Sequence, residues 1–88
     1  MRLKLVDLDR GAEVEVEIER EAHPTGIVDR LRELGLLNQH ETAIFGVSLD
    51  GRRVHYVPAA TVEQLAAYSS QTKQPICFKR FAIHRHQP

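Results

Sequence analysis

The sequence predicts an α+β domain: a mixed sheet of four to five strands packed on one main helix. Three observations carry this. The stretch AEVEVEIERE (Ala12 to Glu21) alternates valine and isoleucine with glutamate at strict period two, the pattern of a strand with one dry and one wet face. The stretch GIVDRLRELG places Ile27, Leu31 and Leu34 at i, i+4 and i+7, one stripe of a helix. Apolar alternation also marks both ends of the chain, at Met1, Leu3 and Leu5 and again at Ile76 and Phe78.

Taken in order, Arg2 to Leu8 reads as a first strand, and Asp9-Arg10-Gly11 breaks it. Gly11 adopts positive φ at no steric cost and suits a hairpin loop with a bulge. The glutamate-valine strand follows, and so short a link makes the two strands antiparallel neighbours. His23-Pro24-Thr25-Gly26 ends that hairpin. Thr25 is the expected helix N-cap, Asp29 favours the positive end of the helix dipole, and Gly35 is the expected stop.

Asn38 to Glu41 reads as a loop and Thr42 to Leu49 as a third strand. Asp50-Gly51 is a hairpin turn signal leading into a fourth strand, Arg52 to Val57, which Pro58 ends. Thr61 to Tyr68 has the length of two helical turns, with Thr61 as cap and Leu65 inward. SSQTKQP then reads as a polar connector. The last strand, Ile76 to Ile83, puts Ile76 and Phe78 on one face but Phe81 and Ile83 on the other, which predicts a bulge near Arg80. The expected core is Leu3, Leu5, Val14, Val16, Ile18, Ile27, Leu31, Leu34, Phe45, Val47, Leu65, Ile76 and Phe78.

The 88 residues make one domain, 1–88, with 42% apolar content and hence a narrow stability margin. Twelve basic residues balance twelve acidic ones, which removes the main electrostatic argument for nucleic acid. A single cysteine, Cys77, excludes an internal disulfide and fits a reducing compartment. The first residues, MRLKLVDLDRG, interrupt their apolar positions with charge, unlike a secretory leader. A cytoplasmic protein is expected.

No residue set announces a reaction or a cofactor. Glu13, Glu15, Glu17 and Glu19 are too regularly spaced for acid-base work, which needs carboxylates in unlike environments. They form a candidate docking stripe for a basic protein partner, set against the plainer reading of a solvated edge that charge keeps from pairing. Lys79, Arg80 and Arg85, with Lys73, Arg52 and Arg53, form a candidate basic patch for an acidic partner or, weakly, an anionic membrane surface. His84 and His86 fall short of the three or four convergent ligands zinc requires. Cys77 lacks a recognisable histidine partner and reads as a buried structural thiol.

The order β-β-α-β-β-(short α)-β resembles the β-grasp plan of ubiquitin-like domains, which implies that the last strand returns beside the first and leaves the second strand at an edge. More closely it resembles the first lobe of FERM domains. The residues that carry the resemblance are the hairpin LKLVDLDRGAEVEVEIE, the helix end Leu34-Gly35-Leu36, the run IFGVSLDG (Ile44 to Gly51), VHYVP (Val54 to Pro58) and PICFKRFAI (Pro75 to Ile83). The resemblance implies a protein-binding lobe without catalysis. FERM lobes normally come with two more lobes, and ubiquitin-type modifiers end in Gly-Gly, whereas this chain ends in HRHQP. A second resemblance, through DLDRG and RLRELGL, is to the SH3-like barrel of ferrous-iron transport accessory proteins and covers the first half only. The two readings part at Thr61 to Tyr68: a helix there followed by a strand beside Arg2 to Leu8 fits the first, and a barrel closed by Ala60 fits the second.

Overall fold

A computed structural model describes residues 1–83. In chain order the elements are β1 (Arg2–Asp7), β2 (Ala12–Glu17), α1 (Gly26–Glu33), β3 (Glu41–Val47), β4 (His55–Tyr56), α2 (Val62–Thr72) and β5 (Ile76–Ala82). The five strands form one mixed sheet in the order β2-β1-β5-β3-β4. β1 and β5 run parallel, with Leu5 opposite Ile76 and Asp7 opposite Phe78. Strands from the two ends of the chain therefore lie side by side in the middle of the sheet. The sheet is open, with edges at β2 and β4, and α2 precedes its last strand, so no barrel closes by Ala60.

The β1–β2 hairpin follows from alternation. Leu3 pairs with Val16 and Leu5 with Val14 in an unbroken register out to Asp7 and Ala12. Gly11 closes the loop at φ 66°, its N–H donating to the Asp7 carbonyl at 2.7 Å. β2 stops at Glu17, short of the expected Glu21. The reason lies further along the chain. The carbonyls of Arg20 and Ala22 accept from the N–H groups of Glu63 and Val62, satisfying donors that the first turn of α2 leaves orphaned.

One core forms on one side of the sheet. Leu3, Leu5, Val16, Phe45, Val47, Ile76 and Phe78 pack with Ile27, Val28 and Leu31 of α1 and with Val62 and Leu65 of α2. Phe45 and Phe78 meet at a ring separation of 6.3 Å, within the range of favourable aromatic pairs. Val14 is only half-buried, and Leu34, expected inside, is 55% exposed. Leu34 is the helical C-cap itself, its N–H donating to the Arg30 carbonyl at 3.1 Å, and the chain turns away directly after it. α1 ends at Glu33, Gly35 turns left-handed at φ 75°, and the Leu36 N–H closes back on the Leu31 carbonyl at 2.9 Å. Leu37, beyond that turn, takes the buried place.

Four further expectations are corrected. Thr25 occupies the N-cap position but makes no side-chain cap bond, and its hydroxyl pairs with His23 Nδ1 at 2.9 Å instead. The fourth strand is only two residues long. Arg52 and Arg53 belong to its approach loop, where the Asp50 carboxylate accepts both of their N–H groups, at 2.8 and 3.1 Å. That local bonding competes with strand pairing.

The polar connector is largely helix, because Ser69 to Thr72 continue α2 to eleven residues. The main helix is thus one of two, and α1 has only eight residues. Thr61 caps α2 by accepting the Gln64 N–H at 3.1 Å, while the Gln64 side chain reaches back to the Ala60 N–H at 2.8 Å. This reciprocal arrangement resembles a capping box. Finally, β5 has no bulge: its pairing with β3 is continuous from Val47–Ile76 to Glu41–Ala82.

Candidate functional site

An unbroken β5 sorts its side chains by parity. Ile76, Phe78 and Arg80 face the core, while Cys77, Lys79 and Phe81 face the opposite side. The inward position after Phe78, where a further apolar residue is expected, holds Arg80. On β1 the inward series Leu3, Leu5 ends likewise in a charge, Asp7. The two meet. Arg80 Nη1 donates to Asp7 Oδ1 and Nη2 to Asp7 Oδ2, each at 2.7 Å. The side chains are 11% and 1% exposed. Arg80 Nε also donates to the Leu36 carbonyl at 2.8 Å, and Arg80 Nη1 and backbone N–H both reach Asp9 Oδ2. The guanidinium carbon lies 5.3 Å from the centre of the Phe78 ring, within cation–π range.

Bidentate hydrogen bonding from Arg80 is the first cause that holds the Asp7 carboxyl below its ordinary value, and burial acts against it. Asp7 accepts, besides, from the backbone N–H groups of Asp9 and Arg10. Arg80 is thus bound internally, on the face away from Lys79, and is not part of a basic surface. Parity was the sequence signal for this pair: two inward series on separate strands, each ending in an opposite charge. The two series meet because β1 and β5 are parallel neighbours, with Asp7 opposite Phe78.

Glu13, Glu15 and Glu17 are exposed along edge strand β2, with Glu19 exposed just past its end. Their side chains share the outer face with Arg2 and Lys4, which stand opposite Glu17 and Glu15. Arg2 Nε lies 3.8 Å from Glu17 and 3.9 Å from Glu15, all three well solvated. Such pairs contribute about 0–1 kcal/mol. The Met1 nitrogen donates to the Ile18 carbonyl at 2.6 Å and the Ile18 N–H returns to Met1 at 3.0 Å. Antiparallel alternation then points the backbone N–H and C=O of Glu13, Glu15 and Glu17 away from β1, into the open edge. Beside that edge, between β2 and α1, runs a groove of about 420 Å³ lined in part by Val16, Ile18, Arg30, Glu33 and Leu34.

The outer face of the sheet also carries apolar surface. Ile44 of β3 stands opposite Lys79, and Thr42 opposite Phe81. Ile44 and Phe81 are 40% and 43% exposed. With Lys79, Arg53 and Val54 they line a shallow depression of about 260 Å³. The structure therefore joins Lys79 to Arg53. Lys73 sits apart, as the left-handed C-cap of α2. Arg85, His84 and His86 lie outside the described residues.

On the same outer face Cys77 is 1% exposed, and burial pushes its thiol up to about 11, which leaves it protonated and a poor nucleophile at neutral pH. Its side chain contacts the Gly46 carbonyl at 3.6 Å. Gly46 itself admits no side chain, because a Cβ there would overlap the His55 carbonyl of the neighbouring strand β4.

Among the described residues, no group of three His, Cys, Asp or Glu side chains stands close enough to hold a metal ion, and no helix is long and apolar enough to cross a membrane. Comparison with protein-family models, with curated proteins and with solved structures finds no match to this chain.

Proposed function

We propose that the chain is a non-catalytic protein-interaction module of the ubiquitin-like, β-grasp type, closest in plan to the first lobe of FERM domains. The strand order, with parallel first and last strands at the centre, supports the fold reading. One observation carries the functional one. The sheet buries its core on one face and on the other presents Ile44 and Phe81, exposed and set beside Lys79 and Arg53. Apolar surface rimmed by charge is the composition of a recognition patch. The buried, protonated Cys77 and the internally bound Asp7 leave these two groups no part in chemistry at this surface.

Affinity capture with the intact chain, followed by identification of the retained proteins, tests this reading. A partner held by the native chain should be lost by the double variant Ile44→Asp/Phe81→Asp, which changes exposed positions only. A partner retained equally by both forms moves recognition off this face. A chain that turns over a small substrate by itself ends the non-catalytic reading.

A further inference from the structure

We propose that the free edge of β2 takes an extended segment of a partner protein as an added strand, and that this segment alternates basic with apolar residues. The inference rests on the interaction-module reading and adds a second surface to it.

The backbone supplies the first argument. The pairing of Met1 with Ile18 fixes the alternation of the β1–β2 ladder, so Glu13, Glu15 and Glu17 each offer one N–H and one C=O outward. Three such residues at spacing two are the pattern that an incoming strand pairs with.

The two faces beside this edge supply the second. Side chains of an added strand alternate between the faces of the extended sheet. Those on the helix side enter the groove between β2 and α1, whose lining includes the 55% exposed Leu34, the buried Val16 and Ile18, and the paired charges Arg30 and Glu33, so Leu34 is its apolar contact. Those on the outer side stand beside Glu13, Glu15 and Glu17. One set is therefore apolar and the other cationic.

Charge also excludes the simplest competitor. A second copy of β2 brings carboxylates against carboxylates, which opposes self-pairing. The only described cation paired with the strand's glutamates is Arg2, at 3.8 and 3.9 Å in a well-solvated contact, and an incoming lysine or arginine displaces it at little cost.

The test uses the full chain and a synthetic peptide of about eight residues alternating lysine and valine. Two control peptides accompany it: one with glutamate for lysine, and one N-methylated at alternate residues along the pairing edge. The lysine peptide should slow amide exchange at Glu13, Glu15 and Glu17 by about tenfold or more. The Val14 and Val16 amides, already bonded to β1, should change little. Both control peptides, and the variant Glu15→Lys/Glu17→Lys, should bind at least about tenfold more weakly. Absence of binding, binding indifferent to N-methylation, or protection that appears away from β2 overturns the proposal. Failure here with capture through Ile44 and Phe81 intact removes the edge alone, whereas failure of both removes the module reading.

Discussion

Two sets of ion pairs in this molecule use the same chemical groups to different ends. Asp7 and Arg80 form a bidentate pair at 2.7 Å in the interior, with side chains 1% and 11% exposed. Arg2 faces Glu15 and Glu17 at 3.9 and 3.8 Å on the surface, all three widely open to water. Burial makes the difference. The inner pair cannot lose one member without stranding the other charge in a desolvated place. The outer set can exchange one cation for another at small cost. The inner pair therefore joins the β1–β2 loop, β5 and the segment after α1 into one unit, while the outer glutamates stay available to a partner.

Breaking the inner pair should give the largest effect. Arg80→Ala should destabilise the domain by about 3–5 kcal/mol, read as a shift in denaturant midpoint. In a chain of 88 residues such a loss approaches the whole stability. A loss below about 1 kcal/mol would place Arg80 with the surface cations. Leu31→Ala removes a fully buried contact of α1 and should cost about 2–5 kcal/mol by the same measurement, which sets the scale of a purely apolar loss beside the ionic one.

Acid sharpens the comparison. Arg80 holds the Asp7 carboxyl below its ordinary value, so the folded state resists protonation more than the unfolded chain does. The resulting stability is fully present above the unfolded value of about 3.9 and is lost as pH falls below it through the folded value. The melting temperature should therefore fall between neutrality and strong acid, and Asp7→Asn should flatten that fall. An equally steep acid limb in the variant would assign it to other carboxylates. The smallest effect belongs to the surface. Arg2→Ala should change stability by no more than about 1 kcal/mol, and added salt should erase even that.

The contrast also explains what was legible in the sequence. Alternation at Leu3, Leu5, Val14 and Val16 needs only a local period, and it predicts the first hairpin, whereas the edge position of β2 follows from the β-grasp plan. The outer glutamates were visible through the same alternation. The Asp7–Arg80 pair joins residues 73 apart in the chain, and its first sign was misleading: an inward arginine made the apolar pattern of β5 seem to change faces, which read as a bulge. Leu34 continues the helical stripe, but it is the C-cap, and the chain reverses at Gly35 directly after it, so that Leu37 takes the buried place. Asp50-Gly51 signals a tight hairpin that would carry Arg52 and Arg53 into a strand, whereas the Asp50 carboxylate accepts the N–H groups of Arg52 and Arg53 and extends the loop. Ser69 to Thr72 looked like a connector because polar residues favour turns, yet the helix begun at the Thr61 cap runs on to a left-handed stop at Lys73. Local chemistry was readable, and the partner that completed or diverted it was not.

The central claim is that a charge pair between the two ends of the chain locks the middle of the sheet. A double-mutant cycle on Asp7→Ala and Arg80→Ala, read by denaturant unfolding, measures it most directly. A coupling energy of about 2–3 kcal/mol is expected, against well under about 1 kcal/mol for Arg2 and Glu17. Additive losses at Asp7 and Arg80, with no coupling between them, would contradict the account.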